Sequence, residues 1–188
     1  MYGWRAKIGR ISPSPETVGA EEWRRSLPCG ACLVETRTLL HDVTVDGLSE
    51  TAKQVERAAL ELASAEVDVI LQAGTAIAFL RGFGHDHELS RRIHAVTGIQ
   101  ATTSLTAVVE ALGRLEIHRP AIATSYLAEI DARLVGVLEK SGFEVAAIRG
   151  MGLKQSIQMG KVTPEETYRL AREVVRSAPN ADGILISC

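Results

Sequence analysis

Short continuous apolar runs alternate along the chain with longer stretches whose apolar residues recur every three or four positions. The runs Trp4 to Ile11, Gly30 to Glu35, Val67 to Ala73, Pro120 to Thr124, Phe143 to Arg149 and Ala181 to Ser187 have strand length and β-rich composition, and Gln100 to Thr103 is a brief extended piece. The prolines of Ser12-Pro13-Ser14-Pro15 predict the end of the first strand and an extended loop. Between the strands, Glu16 to Arg25, Asp46 to Ala65, His85 to Val96, Leu105 to Leu115 and Leu127 to Lys140 read as helices. In the second of these, Leu48, Ala52, Val55, Ala59 and Leu62 fall on one face. A last helix opens at Thr163-Pro164-Glu165-Glu166, with proline at the first helical position and an acidic first turn. This regular β-α alternation predicts an α/β protein with parallel, Rossmann-like sheets. Two similar halves meet near residue 100, which divides the chain into lobes 1–100 and 101–188.

Composition narrows the picture. Of 188 residues 46% are hydrophobic but only 4% aromatic, so the core is built from Ala, Val, Ile and Leu, as helices stacked on a parallel sheet require. A formal charge of −2 leaves no electrostatic footprint for nucleic acid or an anionic membrane surface. No apolar stretch approaches transmembrane length and the start lacks the apolar region of a signal peptide, so a cytoplasmic location is expected. Three cysteines are an odd count, which argues against a disulfide framework. Cys29-Gly-Ala-Cys32 has redox or metal spacing, but no second Cys/His pair accompanies it, and its plain reading is two small residues entering a strand. His85-Asp86-His87 is read as a solvated helix start, since residues two apart do not share a helical face. No metal or cofactor is expected, and the Thr75 turn lacks the glycines and lysine of a nucleotide-phosphate loop.

The final strand delivers Cys188 at its carboxyl edge, where open α/β sheets place their ligands. A thiol there is a candidate acid, base or nucleophile. A parallel strand is normally followed by a loop and a covering helix, so a truncated C-terminal lobe is expected. Read alone, Cys188 could equally be a buried small hydrophobe, Gly74-Thr75 a mere strand-to-helix turn and Tyr126 a packing aromatic.

Four blocks change that balance: Gln72-Ala73-Gly74-Thr75-Ala76-Ile77-Ala78-Phe79-Leu80-Arg81-Gly82, Gly98-Ile99-Gln100-Ala101-Thr102-Thr103-Ser104-Leu105-Thr106-Ala107, Ala123-Thr124-Ser125-Tyr126, and Ala178-Pro179-Asn180 through Cys188. In this order they resemble the aspartate/glutamate racemase superfamily, in its branch of arylmalonate decarboxylase and maleate cis-trans isomerase. The resemblance implies two pseudo-symmetric lobes with parallel four-stranded sheets, a small carboxylate bound between them, no cofactor, and a homo-oligomer as one possible assembly. It also implies a cysteine on each lobe in racemases and isomerases. Here the second position is Cys188 and the first is Gly74. A two-base racemase needs both groups, and an isomerase of the maleate type needs the first thiolate to add to the alkene. A decarboxylase needs one proton donor, and the resemblance is to a decarboxylase that lacks the first cysteine.

Loss of carbon dioxide from a malonate-like carbon leaves an enediolate whose two oxygens need preorganised donors. Thr75 offers a hydroxyl and, with Ala76, backbone N–H groups at a helix start, while Tyr126 offers a phenol. The family often has a hydroxyl residue where Ala76 stands, which leaves only the backbone donor there. Pro13 and Ser14 match the family's N-terminal substrate loop. Leu40, Val43, Ile77 and Met159 are the implied apolar pocket for the departing carboxylate, with the polar Ser156 nearby. The expected activity is a malonate-type decarboxylase protonating through Cys188. Isomerase or racemase chemistry is the alternative, and a carboxylate-binding protein without catalysis is the reading from a different class.

Overall fold

The computed structural model describes residues 2–188. The chain runs β1 (Ala6–Pro13), α1 (Gly19–Ser26), β2 (Ala31–Thr38), α2 (Val45–Ala52), α3 (Val55–Ser64), β3 (Val69–Gln72), α4 (Thr75–Phe79), α5 (His85–Thr97) and β4 (Gln100–Thr103). It continues with α6 (Ser104–Arg114), β5 (Pro120–Thr124), α7 (Ala128–Lys140), β6 (Ala147–Gly150), α8 (Ser156–Met159), α9 (Pro164–Ser177) and β7 (Gly183–Ser187). A four-stranded sheet has the order β2-β1-β3-β4, and a three-stranded sheet the order β6-β5-β7. All pairings within both sheets are parallel. The second sheet therefore has three strands among the described residues, where the resemblance implied four. The first sheet also reaches past residue 100, because β4 pairs with β3 from Gln100 to Thr103.

Helix α3 and helix α5 cover one face of the first sheet, where Val55, Ala58, Ala59 and Leu62 meet Ile11, Ile70 and Ile93. On the second sheet, Ala171, Val174 and Ala178 of the α9 region meet Ala121 and Ala123 of β5. Small side chains at these contacts let helix and sheet approach closely. A third cluster joins the halves: Ile77, Ala78 and Phe79 of α4 pack with Ile122, Tyr126, Ile130 and Leu134 around β5 and α7. The site therefore rests on a core shared by both lobes.

Several local differences from the sequence reading have identifiable causes. The stretch Asp46 to Ala65 is two helices, interrupted where Gln54 turns back to the main chain before α2. Its side chain accepts the Leu39 N–H at 2.9 Å and donates to the Leu39 carbonyl at 3.2 Å. β1 runs through Ser12 and Pro13, in register with Arg37 and Thr38 of β2, because a proline at a strand's last position interrupts little of the ladder. The strand expected from Phe143 begins at Ala147. His85 and Asp86 are buried rather than solvated, the latter accepting the Thr106 hydroxyl at 2.8 Å.

Helix α9 starts as its sequence predicts. Thr163 Oγ1 accepts the Glu166 N–H at 3.2 Å, and Glu166 Oε2 accepts the Thr163 N–H at 2.8 Å. Thr163→Ala removes half of this reciprocal cap and is expected to destabilise the protein by about 1 kcal/mol. Thermal unfolding would show it as a drop of about 2–4 °C in Tm.

Candidate active site

The candidate residues lie at the carboxyl ends of four strands, two from each sheet. β1 ends in Pro13, Gly74 follows β3, Ser125 and Tyr126 follow β5, and Cys188 follows β7. The β5–β7 register pairs Thr124 with Ser187, so the residues just beyond are neighbours. As a result Tyr126 Oη lies 3.3 Å from Ser187 Oγ.

On the first lobe the turn out of β3 depends on Gly74, whose φ of +89° lies in the left-handed region. A Cβ there would stand 3.2 Å from Pro13 Cγ and 3.4 Å from Ile77 Cδ1. Gly74→Ala is therefore expected to cost about 1–2 kcal/mol from its backbone conformation alone. Denaturant titration would read this as a lower midpoint with an unchanged slope. Thr75 and Ala76 open α4 and have no N–H acceptor within it. α4 has five residues, too short for the helix dipole that the sequence suggested to contribute much, so these donors act as individual N–H groups. The Thr75 hydroxyl is near enough to Tyr126 to draw the phenol's pKa down slightly against its burial.

Tyr126 is 2% exposed, and its ring meets Phe79 edge to face with centroids 6.1 Å apart. Its turn is fixed by the main chain: Leu153 N–H donates to the Ser125 carbonyl at 2.9 Å and Gly152 N–H to the Tyr126 carbonyl at 3.0 Å. The Tyr126 N–H donates to Thr124 Oγ1 at 3.1 Å, and that hydroxyl donates to Asp131 Oδ1 at 2.6 Å. Burial raises the Asp131 carboxyl, with the Thr124 hydroxyl pulling it partly back. Burial also holds the Tyr126 phenol well above the usual tyrosine range, reinforced by the neighbouring Cys188 sulfur. Tyr126 is thus a neutral donor at physiological pH.

Cys188 is exposed, and the side chains beside its sulfur include Met159, Ser125 and Tyr126. The thiol lies 3.6 Å from Met159 Sδ. The buried Ser125 hydroxyl, which has no hydrogen-bond partner among the described residues, is near the same sulfur. Burial pushes the thiol above the ordinary cysteine range; the Ser125 and Tyr126 hydroxyls pull it down, and the Glu16 carboxylate pushes it up. All three cysteines are free thiols, Cys29 exposed and Cys32 half-buried.

The residues expected to form the apolar pocket do sit together. Leu40, Val43 and Ile77 are buried in the cluster that contains Tyr126, and Met159 packs on it. The Ser14 hydroxyl oxygen accepts the Leu40 N–H at 3.2 Å, tying the end of the β1 turn to the segment that carries Leu40 and Val43. That segment is joined to the one after β6 by an antiparallel bridge between Asp42 and Gln155, flanked by Val43 N–H to Lys154 O at 2.7 Å and Ser156 N–H to His41 O at 2.9 Å.

Ser125, Ser187 and Glu16 were missed by sequence reasoning. Ser125 and Ser187 immediately precede the chosen site residues at strand ends, and the shared edge of β5 and β7 would have flagged them.

Among known proteins, the family model described as arylmalonate decarboxylase matches residues 34–188. The chain belongs to this family. Arylmalonate decarboxylase of Bordetella bronchiseptica is 30% identical over 149 residues, covering 79% of this chain and 62% of the relative. Maleate isomerase of Nocardia farcinica is 31% identical over 158 residues, covering 81% of this chain and 62% of the relative. A cysteine-to-serine mutant of Nocardia farcinica maleate cis-trans isomerase, holding a covalently bound succinylcysteine intermediate, superposes with a TM-score of 0.89 at 26% identity. It covers 97% of this chain and 78% of that one. The chain thus spans about 62% of the length of these curated relatives, which are a decarboxylase and an isomerase. Among the described residues, no helix is long and apolar enough to cross a membrane.

Proposed function

We propose that the protein is a cofactor-independent decarboxylase of a small malonate-type carboxylate. The observation that carries this reading is an asymmetry between strand ends: Cys188 follows β7 of the second sheet, whereas the turn out of β3 in the first sheet carries a glycine, Gly74. An isomerase proceeding through a cysteine adduct on the first lobe has no nucleophile at Gly74, and a two-base racemase has no second base there.

In the proposed reaction the Thr75 hydroxyl, the Thr75 and Ala76 N–H groups and the Tyr126 phenol receive the carboxylate that is retained. The other carboxylate lies against Leu40, Val43, Ile77 and Met159, where poor solvation favours its loss as neutral carbon dioxide. The carbon–carbon bond breaks, its electron pair passes into the enediolate, and the donors stabilise the charge that develops on its oxygens. The Cys188 thiol then gives its proton to the α-carbon, and the thiolate takes one back from water. A raised thiol suits this role, because the group must enter the reaction protonated.

The test is to incubate the protein in heavy water with aryl- and alkylmalonates, maleate and amino acids and to follow each by NMR. The expected result is loss of one carboxylate from a malonate and a single deuterium at the new α-position. Maleate converting to fumarate, or α-deuteration of an amino acid without loss of carbon dioxide, would overturn the reading. Thermal stabilisation by malonates with no turnover would assign the protein to ligand binding instead.

A further inference from the structure

The two other cysteines lie away from the candidate site, at the amino edge of the first sheet. Cys32 is the second residue of β2 and pairs in register with Lys7 near the start of β1, so it stands at the opposite end of the strands from Pro13 and Gly74. Cys29 precedes the strand in a tight turn, which the Ala31 N–H closes onto the Pro28 carbonyl at 3.1 Å and Gly30 permits with a φ of +90°. The segment before β1 folds over this turn. Arg5 N–H donates to the Gly30 carbonyl at 3.0 Å, and the Trp4 ring lies so close that a Cβ on Gly30 would stand 2.6 Å from its Cε2. Cys32 Sγ packs against the same segment, 2.7 Å from the position of a Cβ on Gly3. A cavity of about 720 Å³ opens here, lined by both thiols together with Tyr2, Trp4, Arg24 and Leu27. Its size is that of a small-molecule site. Its lining holds one cation, Arg24, and no carboxylate among the described residues. Arg25 next to it meets Glu21 at 2.9 Å, whereas Arg24 forms no ion pair among the described residues.

We propose that this cavity is a dithiol redox site: Cys29 exchanges with a small carboxylate-bearing disulfide held against Arg24 and Trp4, and Cys32 resolves the adduct into a Cys29–Cys32 bond. The ligand class follows from the lining, where two thiols supply the exchange chemistry and the cation supplies a counter-charge for a carboxylate. In the first step the Cys29 thiolate attacks one sulfur of the small disulfide, whose S–S bond breaks; a first small thiol leaves and takes up the proton that Cys29 gave up. In the second the Cys32 thiolate attacks the Cys29 sulfur, the mixed bond breaks, and a second small thiol leaves with the proton of Cys32. The protein loses two electrons and the small disulfide gains them. The order follows from access, since Cys29 is exposed and Cys32 is half-buried against Gly3. Three residues of extended chain would hold the two Cα atoms within about 11 Å, and the bend at Gly30 brings them closer, so reaching the roughly 7 Å limit of a disulfide asks only for local movement.

The test uses the full chain carrying Cys188→Ser, in glutathione buffers of increasing oxidised fraction, with acid quenching and intact mass measurement. With Cys29 and Cys32 both present, the protein is expected to lose two hydrogens and to retain no glutathione. Cys32→Ser should trap one glutathione on Cys29, and Cys29→Ser should take up none in the time that fully modifies Cys32→Ser. Arg24→Gln should slow the first step about threefold with glutathione disulfide, the scale of one exposed ion pair, and leave the rate with uncharged hydroxyethyl disulfide unchanged. Glutathione retained with both cysteines present, modification of Cys29→Ser as fast as that of Cys32→Ser, or an equal effect of Arg24→Gln on both disulfides would overturn the proposal. If circular dichroism shows Cys32→Ser unfolded, Cys32→Ala replaces it with the same expected trap. The outcome is independent of malonate turnover, because the Cys188 thiol is absent throughout.

Discussion

Cys188→Ser is expected to lower malonate turnover by about a thousandfold, the scale of a lost general acid, while leaving the fold intact. A serine hydroxyl fits where the thiol stood and can still meet Ser125 and Tyr126, so binding of a malonate should survive. What it lacks is acidity: a hydroxyl is a far poorer proton donor to carbon than a thiol, and protonation of the enediolate then falls to water. NMR in heavy water checks both parts. Turnover should collapse in the variant, while a non-reactive malonate analogue should still raise its Tm. Retention of the parent rate would remove Cys188 from the mechanism. The pH profile of the proposed reaction follows from the same group. The form required for it is the neutral thiol, so the rate should hold through neutral pH and fall as pH climbs through the thiol's pKa. Burial moves that fall to the alkaline side of an ordinary cysteine.

Tyr126→Phe is expected to reduce kcat about a hundredfold, close to 3 kcal/mol for one donor to a developing oxyanion. The phenylalanine ring keeps the edge-to-face contact with Phe79, so the shared core should remain formed. KM should change less than kcat, because the lost hydrogen bond strengthens only as charge builds on the retained carboxylate. Steady-state kinetics on a malonate substrate, with Tm as the control for folding, separates these effects. A loss confined to KM would make Tyr126 a substrate-binding group without a part in the transition state.

The elements that sequence reading placed best are those whose signals are local. β5 has the predicted limits, Pro120 to Thr124, because a continuous apolar run flanked by polar residues leaves little choice. The α9 start was equally plain, since its cap lies within four consecutive residues. Where the reading failed, the deciding contact came from elsewhere in the chain. The break between α2 and α3 depends on Gln54 meeting Leu39, and no helical periodicity carries that information. Burial of Asp86 depends on Thr106, twenty positions away. Gly74, Thr75, Tyr126 and Cys188 were singled out by the family blocks, and each lies just beyond the carboxyl end of a strand. Ser14 could be named but not oriented. The Arg10 to Glu35 contact was not anticipated, because it exists only once β1 and β2 are in register.

The bridge between Asp42 and Gln155 joins the segment after β2, which carries Leu40 and Val43, to the segment after β6. Parting of these segments would break the main-chain bonds at Val43 and Ser156 together. The amide protons of Val43 and Ser156 are natural clocks for that step, and their exchange with solvent should slow in concert when a dicarboxylate occupies the cleft.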